Sequence, residues 1–195
     1  MSSPLRKIPL VVLALVAVFA LSACGDSHTR VTTGTYAGES GKNAPYLNVG
    51  PLVYEVQLSR ELNPYNSEDA GYIEGLSPAD STLGAGEEWF GVFMQVYNNT
   101  DAPLQASDDF TITDTQGNSY TPLEHAESNR YAYRAGTVPA KGQLPEPDTT
   151  AYFGPTTGQL LLFKIKIVSL DNRPLELKIT DPANPAFSAT AELDV

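Results

Sequence analysis

The stretch EWFGVFMQVYN, residues 88–98, is apolar on both sides of an extended chain. Phe90, Val92, Met94 and Val96 fall on one face at a spacing of two, and Trp89, Phe93 and Tyr97 fall on the other. A strand with two apolar faces lies inside a protein with packing above and below it, so this one is expected at the centre of a sheet. Its end is set by the turn formers Asn98, Asn99, Thr100, Asp101 and Pro103.

The flanking segments alternate more simply. LVYEVQL, residues 52–58, places Tyr54, Val56 and Leu58 on one side and Glu55 and Gln57 on the other. Phe110 and Ile112 alternate with Thr111 and Thr113; Thr115, Gln116, Gly117 and Asn118 supply a turn, and Tyr120 begins a return strand, which predicts a hairpin. LLLFKIKIV (160–168) and LELKI (175–179), separated by Asp171, Asn172, Arg173 and Pro174, read as a second hairpin. A final strand, 187–195, turns Ala189, Ala191, Leu193 and Val195 one way and Thr190, Glu192 and Asp194 the other. One helical turn is expected over 67–76, with Ser67 as N-cap and Glu68 and Asp69 in its first turn. About seven or more short strands, punctuated by Pro and Gly, predict an all-β protein of two packed antiparallel sheets. Trp89 is the candidate for the large aromatic at the centre of such a sandwich, or for a rim tryptophan at a binding face.

The amino terminus has a different character. Arg6 and Lys7 precede an uncharged apolar run from Ile8 to Leu21 that ends in Ser22 and Ala23. This is the layout of an export signal, and the run falls short of the roughly 20 residues needed to span a bilayer. Leu21, Ser22, Ala23 and Cys24 resemble the bacterial lipobox, which implies lipid transfer to the Cys24 thiol and cleavage just before it. Cys24 is the chain's one cysteine, so it has no disulfide partner, and the fold must stand on its apolar core. Residues 1–23 are thus read as a lipoprotein signal peptide, 24–46 as the lipidated cysteine and a flexible Gly/Ser/Thr-rich spacer, and 47–195 as a β-sandwich domain.

Charge narrows the partners. The whole chain carries a formal charge of −11; without residues 1–23 the 12 basic residues fall to 10 against 23 acidic ones, a formal charge of −13. Nucleic-acid backbones and anionic head groups are repelled by such a surface, which leaves lipid on Cys24 as the membrane attachment.

LSRELNP (58–64), EDAGYIEGL (68–76), FGVFMQVYNNTDAPL (90–104) and DDFTITDTQGNSYTPLE (108–124) resemble uncharacterised bacterial lipoproteins carrying an immunoglobulin-like β-sandwich. LPEPDTTAYFGPTTGQLLLFKI (144–165) and DNRPLELKI (171–179) extend the likeness over nearly all of the domain. The resemblance implies an immunoglobulin-like antiparallel sandwich and a lipid anchor, and brings no catalytic or ligand signature with it.

Reactive constellations are sparse. His28 and His125 are the two histidines, and with Cys24 taken by lipid they make no zinc or copper set. No G-x-S-x-G elbow is present, so a non-enzymatic protein without a cofactor is expected. Asp80, Glu87, Glu88, Asp108 and Asp109 are either solvated loop carboxylates or, if they converge at one end of the sandwich, calcium ligands. Tyr131, Tyr133, Pro145, Pro147, Tyr152 and Phe153 either cover a sheet or present a contact surface. The expected function is that of a lipid-anchored, extracytoplasmic, non-catalytic module binding an envelope protein or polymer, with a small-ligand or calcium carrier as the alternative.

Overall fold

The computed structural model describes residues 30–33 and 46–193. In chain order the elements are β1 (Arg30–Thr33), β2 (Tyr46–Val49), β3 (Leu52–Leu62), α1 (Ser67–Ile73), β4 (Glu87–Asn98), β5 (Leu104–Gln105), β6 (Asp109–Thr113), β7 (Ser119–Tyr120), β8 (Thr137–Val138), β9 (Gln143–Leu144), α2 (Thr150–Phe153), β10 (Gln159–Lys166), α3 (Val168–Asp171), β11 (Leu175–Thr180) and β12 (Ser188–Leu193). One sheet runs β1-β12-β11-β6-β7 and the other β10-β4-β3-β2, with β9 also paired to β4 and a separate ribbon of β5 and β8. Every pairing is antiparallel except that of β1 with β12. The chain is therefore an all-β sandwich, as its alternating segments predict.

The doubly apolar stretch forms β4, central between β3 and β10. Phe90, Val92, Met94 and Val96 face the other sheet and join Tyr54, Val56, Phe163, Phe110, Ile112, Leu177, Ile179 and Ala191 in the main core, all fully or almost fully buried. Each such side chain contributes about 1.5–3 kcal/mol of burial free energy. The 110–120 hairpin is present, with Ile112 opposite Tyr120.

Four local expectations are corrected. Residues 160–166 and 175–180 are not a hairpin: β10 pairs with β4 in one sheet, and β11 pairs with β6 and β12 in the other. The α3 turn between them carries the chain across the sandwich, and alternation within a strand cannot say which sheet will accept it. Leu58 does not share a face with Tyr54 and Val56. A β-bulge between Val56 and Leu58 inserts Gln57, after which Leu58 and Leu62 stand on the outer face. Trp89 is not at the sandwich centre but on that outer face, in a second apolar cluster with Leu62, Tyr72, Phe93, Leu160 and Leu162. The N-cap of α1 is Asn66 rather than Ser67, its side chain accepting from the Glu68 N–H at 2.9 Å.

The helix α1 is the lid of the second cluster. Arg60 on β3 grips Asp69 with two hydrogen bonds of 2.6 and 3.0 Å, and Asp69 also accepts from the Asn63 N–H at 2.8 Å. Burial would raise the Asp69 pKa, but these donors outweigh it and hold the carboxyl below its ordinary value. Tyr72 then packs edge-on to Phe93 and Tyr131, at 4.9 and 4.8 Å between ring centroids.

Strand β1 lies within the segment read as spacer, and β2 begins at Tyr46, at that segment's end. The signal peptide, Cys24, His28 and the remainder of the spacer lie outside the described residues.

Candidate functional site

The bulge at Gln57 divides the outer face of the β10-β4-β3-β2 sheet in two. On one side of it lie Leu58, Leu62, Trp89 and Phe93, sealed under α1. On the other side the same strands turn polar groups outward: Glu55 and Gln57 from β3, and Gln95 and Tyr97 from β4. Tyr46 on the edge strand β2 stands opposite Glu55, and Gln95 is Glu55's partner on its other flank. Gln143 of β9, Tyr152 of α2 and Thr157 complete an open cleft of about 340 Å³.

The floor of this cleft is buried although it is polar: Glu55 is 2 % exposed, Gln95 7 % and Gln57 8 %. Tyr46 on the rim is 56 % exposed, and its ring meets that of Tyr97 edge-on at 6.3 Å between centroids. The Tyr97 hydroxyl donates to Glu55 Oε2 at 2.7 Å and makes a second, very short contact with Gln95 Oε1. Burial, then the hydrogen bond to Glu55, push the Tyr97 pKa well above its ordinary value, so the hydroxyl keeps its proton and remains a donor. Gln57 Oε1 is buried with no hydrogen-bond partner among the described residues. A buried polar atom left unpaired costs about 1–3 kcal/mol, which a ligand supplying a donor there would recover.

The lining contains one carboxylate and no histidine, cysteine, lysine, arginine or serine. Glu55 is that carboxylate, and the hydroxyls of the lining come from Tyr46, Tyr97, Tyr152 and Thr157.

A larger cavity of about 500 Å³ opens beside Asp108, Asp109, Glu124, His125, Tyr133 and Arg134. Its polar groups are exposed or already satisfied. Asp108 and Asp109 are exposed, His125 Nε2 is 3.0 Å from the Tyr72 carbonyl, and Arg134 donates to the carbonyls of His125 and Ala126. Burial lowers the His125 pKa, which keeps the ring neutral.

The five carboxylates considered for calcium are dispersed. Asp108 and Asp109 lie in a cavity bounded by Leu160 and Leu161, at the start of β10, whereas Glu87 and Glu88 pair with Lys166 and Ile165 at its far end. That separates them by roughly 15–20 Å of strand. Asp80 accepts from Ser77 Oγ at 2.7 Å, and Glu87 from the Gly84 N–H at 2.7 Å. Among the described residues, no three His, Cys, Asp or Glu side chains are grouped to hold a metal ion. The aromatic set splits by role. Tyr131 and Tyr133 pack against Tyr72 and Phe110, while Tyr152 lines the cleft and Phe153 beside it is 69 % exposed. Sequence reasoning missed Tyr46, Glu55, Gln57, Gln95, Tyr97, Gln143 and Thr157 as site residues. The available signal was Gln95 and Tyr97, polar tips on the outward face of a strand otherwise fit for a core.

No family model matches the chain, and no curated protein matches it. Several solved structures are similar to it. The "putative lipoprotein (ycdA)" of Bacillus subtilis is 12 % identical with a TM-score of 0.48, over 78 % of this chain and 39 % of its own. The yjhA protein of Bacillus subtilis is 11 % identical with a TM-score of 0.46, over 85 % of this chain and 99 % of its own. An uncharacterized β-sandwich protein of Clostridium difficile is 13 % identical with a TM-score of 0.44, over 86 % and 95 %. This chain thus spans well under half the length of the first of these.

Proposed function

We propose that the protein is a lipid-anchored, extracytoplasmic binding module, non-catalytic, that engages an envelope polymer through the cleft of Tyr46, Glu55, Gln57, Gln95, Tyr97 and Tyr152. One observation carries the reading: buried carboxylate and amide groups, with Gln57 Oε1 left without a hydrogen-bond partner among the described residues, form the base of an open cleft beside the exposed ring of Tyr46. Polar groups that converge below aromatic rims are what a recognition site needs, and the tyrosines supply contact area at small cost in side-chain entropy. The attachment at Cys24 rests on the Leu21, Ser22, Ala23 motif, and the strongly acidic composition suits a soluble domain outside the cell.

The test is co-sedimentation of the full chain, held in detergent, with insoluble envelope polymer purified free of protein. Wild type sediments with the polymer, and Tyr46→Ala, altered at an exposed position and melting at the same temperature, does so at least fivefold less. Equal sedimentation of the two, or none by wild type, overturns the reading.

A further inference from the structure

The cleft floor has more acceptors than donors. Tyr97 brings one hydroxyl hydrogen, and both Glu55 Oε2 and Gln95 Oε1 lie against it. Turning the Gln95 amide over would let it donate to Tyr97, yet Gln57 Oε1 would remain without a partner. Glu55 is 2 % exposed, and no basic side chain lines the cleft. The carboxylate accepts one hydrogen bond, from Tyr97, but has no charged partner in the lining, and a buried charge left unpaired is costly.

Above that carboxylate the geometry is aromatic. Tyr46 is Glu55's cross-strand neighbour, which sets their Cβ atoms about 4.5–5.5 Å apart. Tyr97 is in hydrogen-bonding contact with Glu55, and its ring meets Tyr46 edge-on at 62°. The exposed Tyr46 ring beside this carboxylate offers π-electron surface, and aromatic rings attract cations that approach their faces.

We propose that this cleft takes a primary ammonium group, seated on Glu55 beside the ring of Tyr46 and donating also to Gln57. The inference rests on the binding reading above and narrows it to partners that carry free amino groups. A quaternary ammonium would satisfy the charge but bring no hydrogen to Gln57. A neutral hydroxyl would bring one hydrogen and leave the charge unmatched. A primary ammonium, with three N–H donors, answers both needs. The acidic composition of the chain favours the approach of such a cation at low ionic strength.

The experiment titrates the full chain in detergent with n-butylammonium chloride, tetramethylammonium chloride and n-butanol, following probe line broadening by NMR. The expected result is the order butylammonium, tetramethylammonium, butanol, with roughly tenfold between first and last. Glu55→Gln should abolish the preference for charge, Tyr46→Ala should weaken both cations, and Gln57→Leu should bring butylammonium down to tetramethylammonium. Each variant is accepted only with a cooperative melt. Butanol binding as well as butylammonium, with both weakened by Tyr46→Ala, overturns the ammonium inference and leaves the cleft as the binding site. Binding of all three probes unaffected by Tyr46→Ala overturns both, as does the absence of any probe binding by a chain that fails to sediment with envelope polymer. Absence of probe binding by a chain that does sediment overturns the ammonium inference alone.

Discussion

Asp114 and Ser169, fifty-five positions apart, are joined by a 2.7 Å hydrogen bond from the serine hydroxyl to the carboxylate. Asp114 directly follows the β6 strand of one sheet, and Ser169 sits in the α3 turn that follows β10 of the other. The same carboxylate accepts from the N–H groups of Gln116 and Asn118 and from the side chains of Asn118 and Asn172, while Tyr120 contacts Ser169 Oγ at 2.7 Å. One side chain thus holds the β6–β7 turn and the crossover between sheets together.

Asp114→Ala should cost about 3 kcal/mol, read in a urea melt, because the buried Ser169 hydroxyl and several partly buried donors lose their acceptor at once. The acid dependence has a definite sign. Burial would raise the Asp114 pKa, but hydrogen bonds from Ser169, Asn118 and Asn172 outweigh it and hold the carboxyl well below its ordinary 3.8. Its stabilisation is complete above that ordinary value and is lost as pH falls beneath it. Melting temperature measured from pH 6 to pH 2 should fall less steeply in Asp114→Asn than in wild type.

Glu88 should act in the opposite sense. Burial, then the neighbouring Glu61, push its pKa from 4.5 up to about 7, and its Oε1 is buried without a partner among the described residues. The folded state therefore holds this proton more tightly than the unfolded state does, and stability declines as pH rises from 4.5 to 7. Glu88→Gln should melt higher than wild type at pH 8, by roughly 1–3 °C given the group's partial exposure, and equally at pH 4. A variant no more stable at pH 8 would refute this.

Gly158 precedes β10 at φ 113°, and a Cβ there would lie 2.9 Å from the Met94 backbone nitrogen. Gly117, at φ 83°, has nothing within 4 Å of the same atom. Gly117→Ala should cost about 1 kcal/mol, the conformational penalty alone, and Gly158→Ala at least about 2 kcal/mol, since β10 must also pull away from β4. Paired denaturant melts separate the two, and equal losses would show that the close approach carries no penalty.

Cys24→Ser should abolish incorporation of labelled fatty acid and release the protein from the membrane fraction. Equal label in wild type and variant would end the lipoprotein reading.

The fold was legible wherever burial writes a period into the sequence. Phe90, Val92, Met94 and Val96 announce their face, and Ile112 and Tyr120 their hairpin. Partner choice was not: the alternation of Phe163 and Ile165 is the same whether β10 joins β11 or β4, and the crossover is decided by Asp114 and Ser169, which no local pattern links. The bulge at Gln57 was equally silent, since one inserted residue reverses the facing of Leu58 without changing composition. The cleft was hidden for a related reason. Glu55 and Gln57 read as the polar side of a half-buried strand, Gln95 lies in a stretch that reads as apolar on both faces, and only the neighbouring β2, β9 and α2 make that side concave.

Strand β1 sets a length. From Cys24 to Arg30 is six residues, at most about 20 Å of chain fully stretched. If Cys24 carries acyl chains as proposed, the β1 edge of the sandwich would be held within that reach of the bilayer, and β12 beside it contacts β2, the strand that carries Tyr46. The cleft would sample a shell a few nanometres deep above the lipid. Such a leash would select partners by altitude as well as by chemistry: a polymer whose amino groups lay beyond that shell would stay out of range however well they fitted.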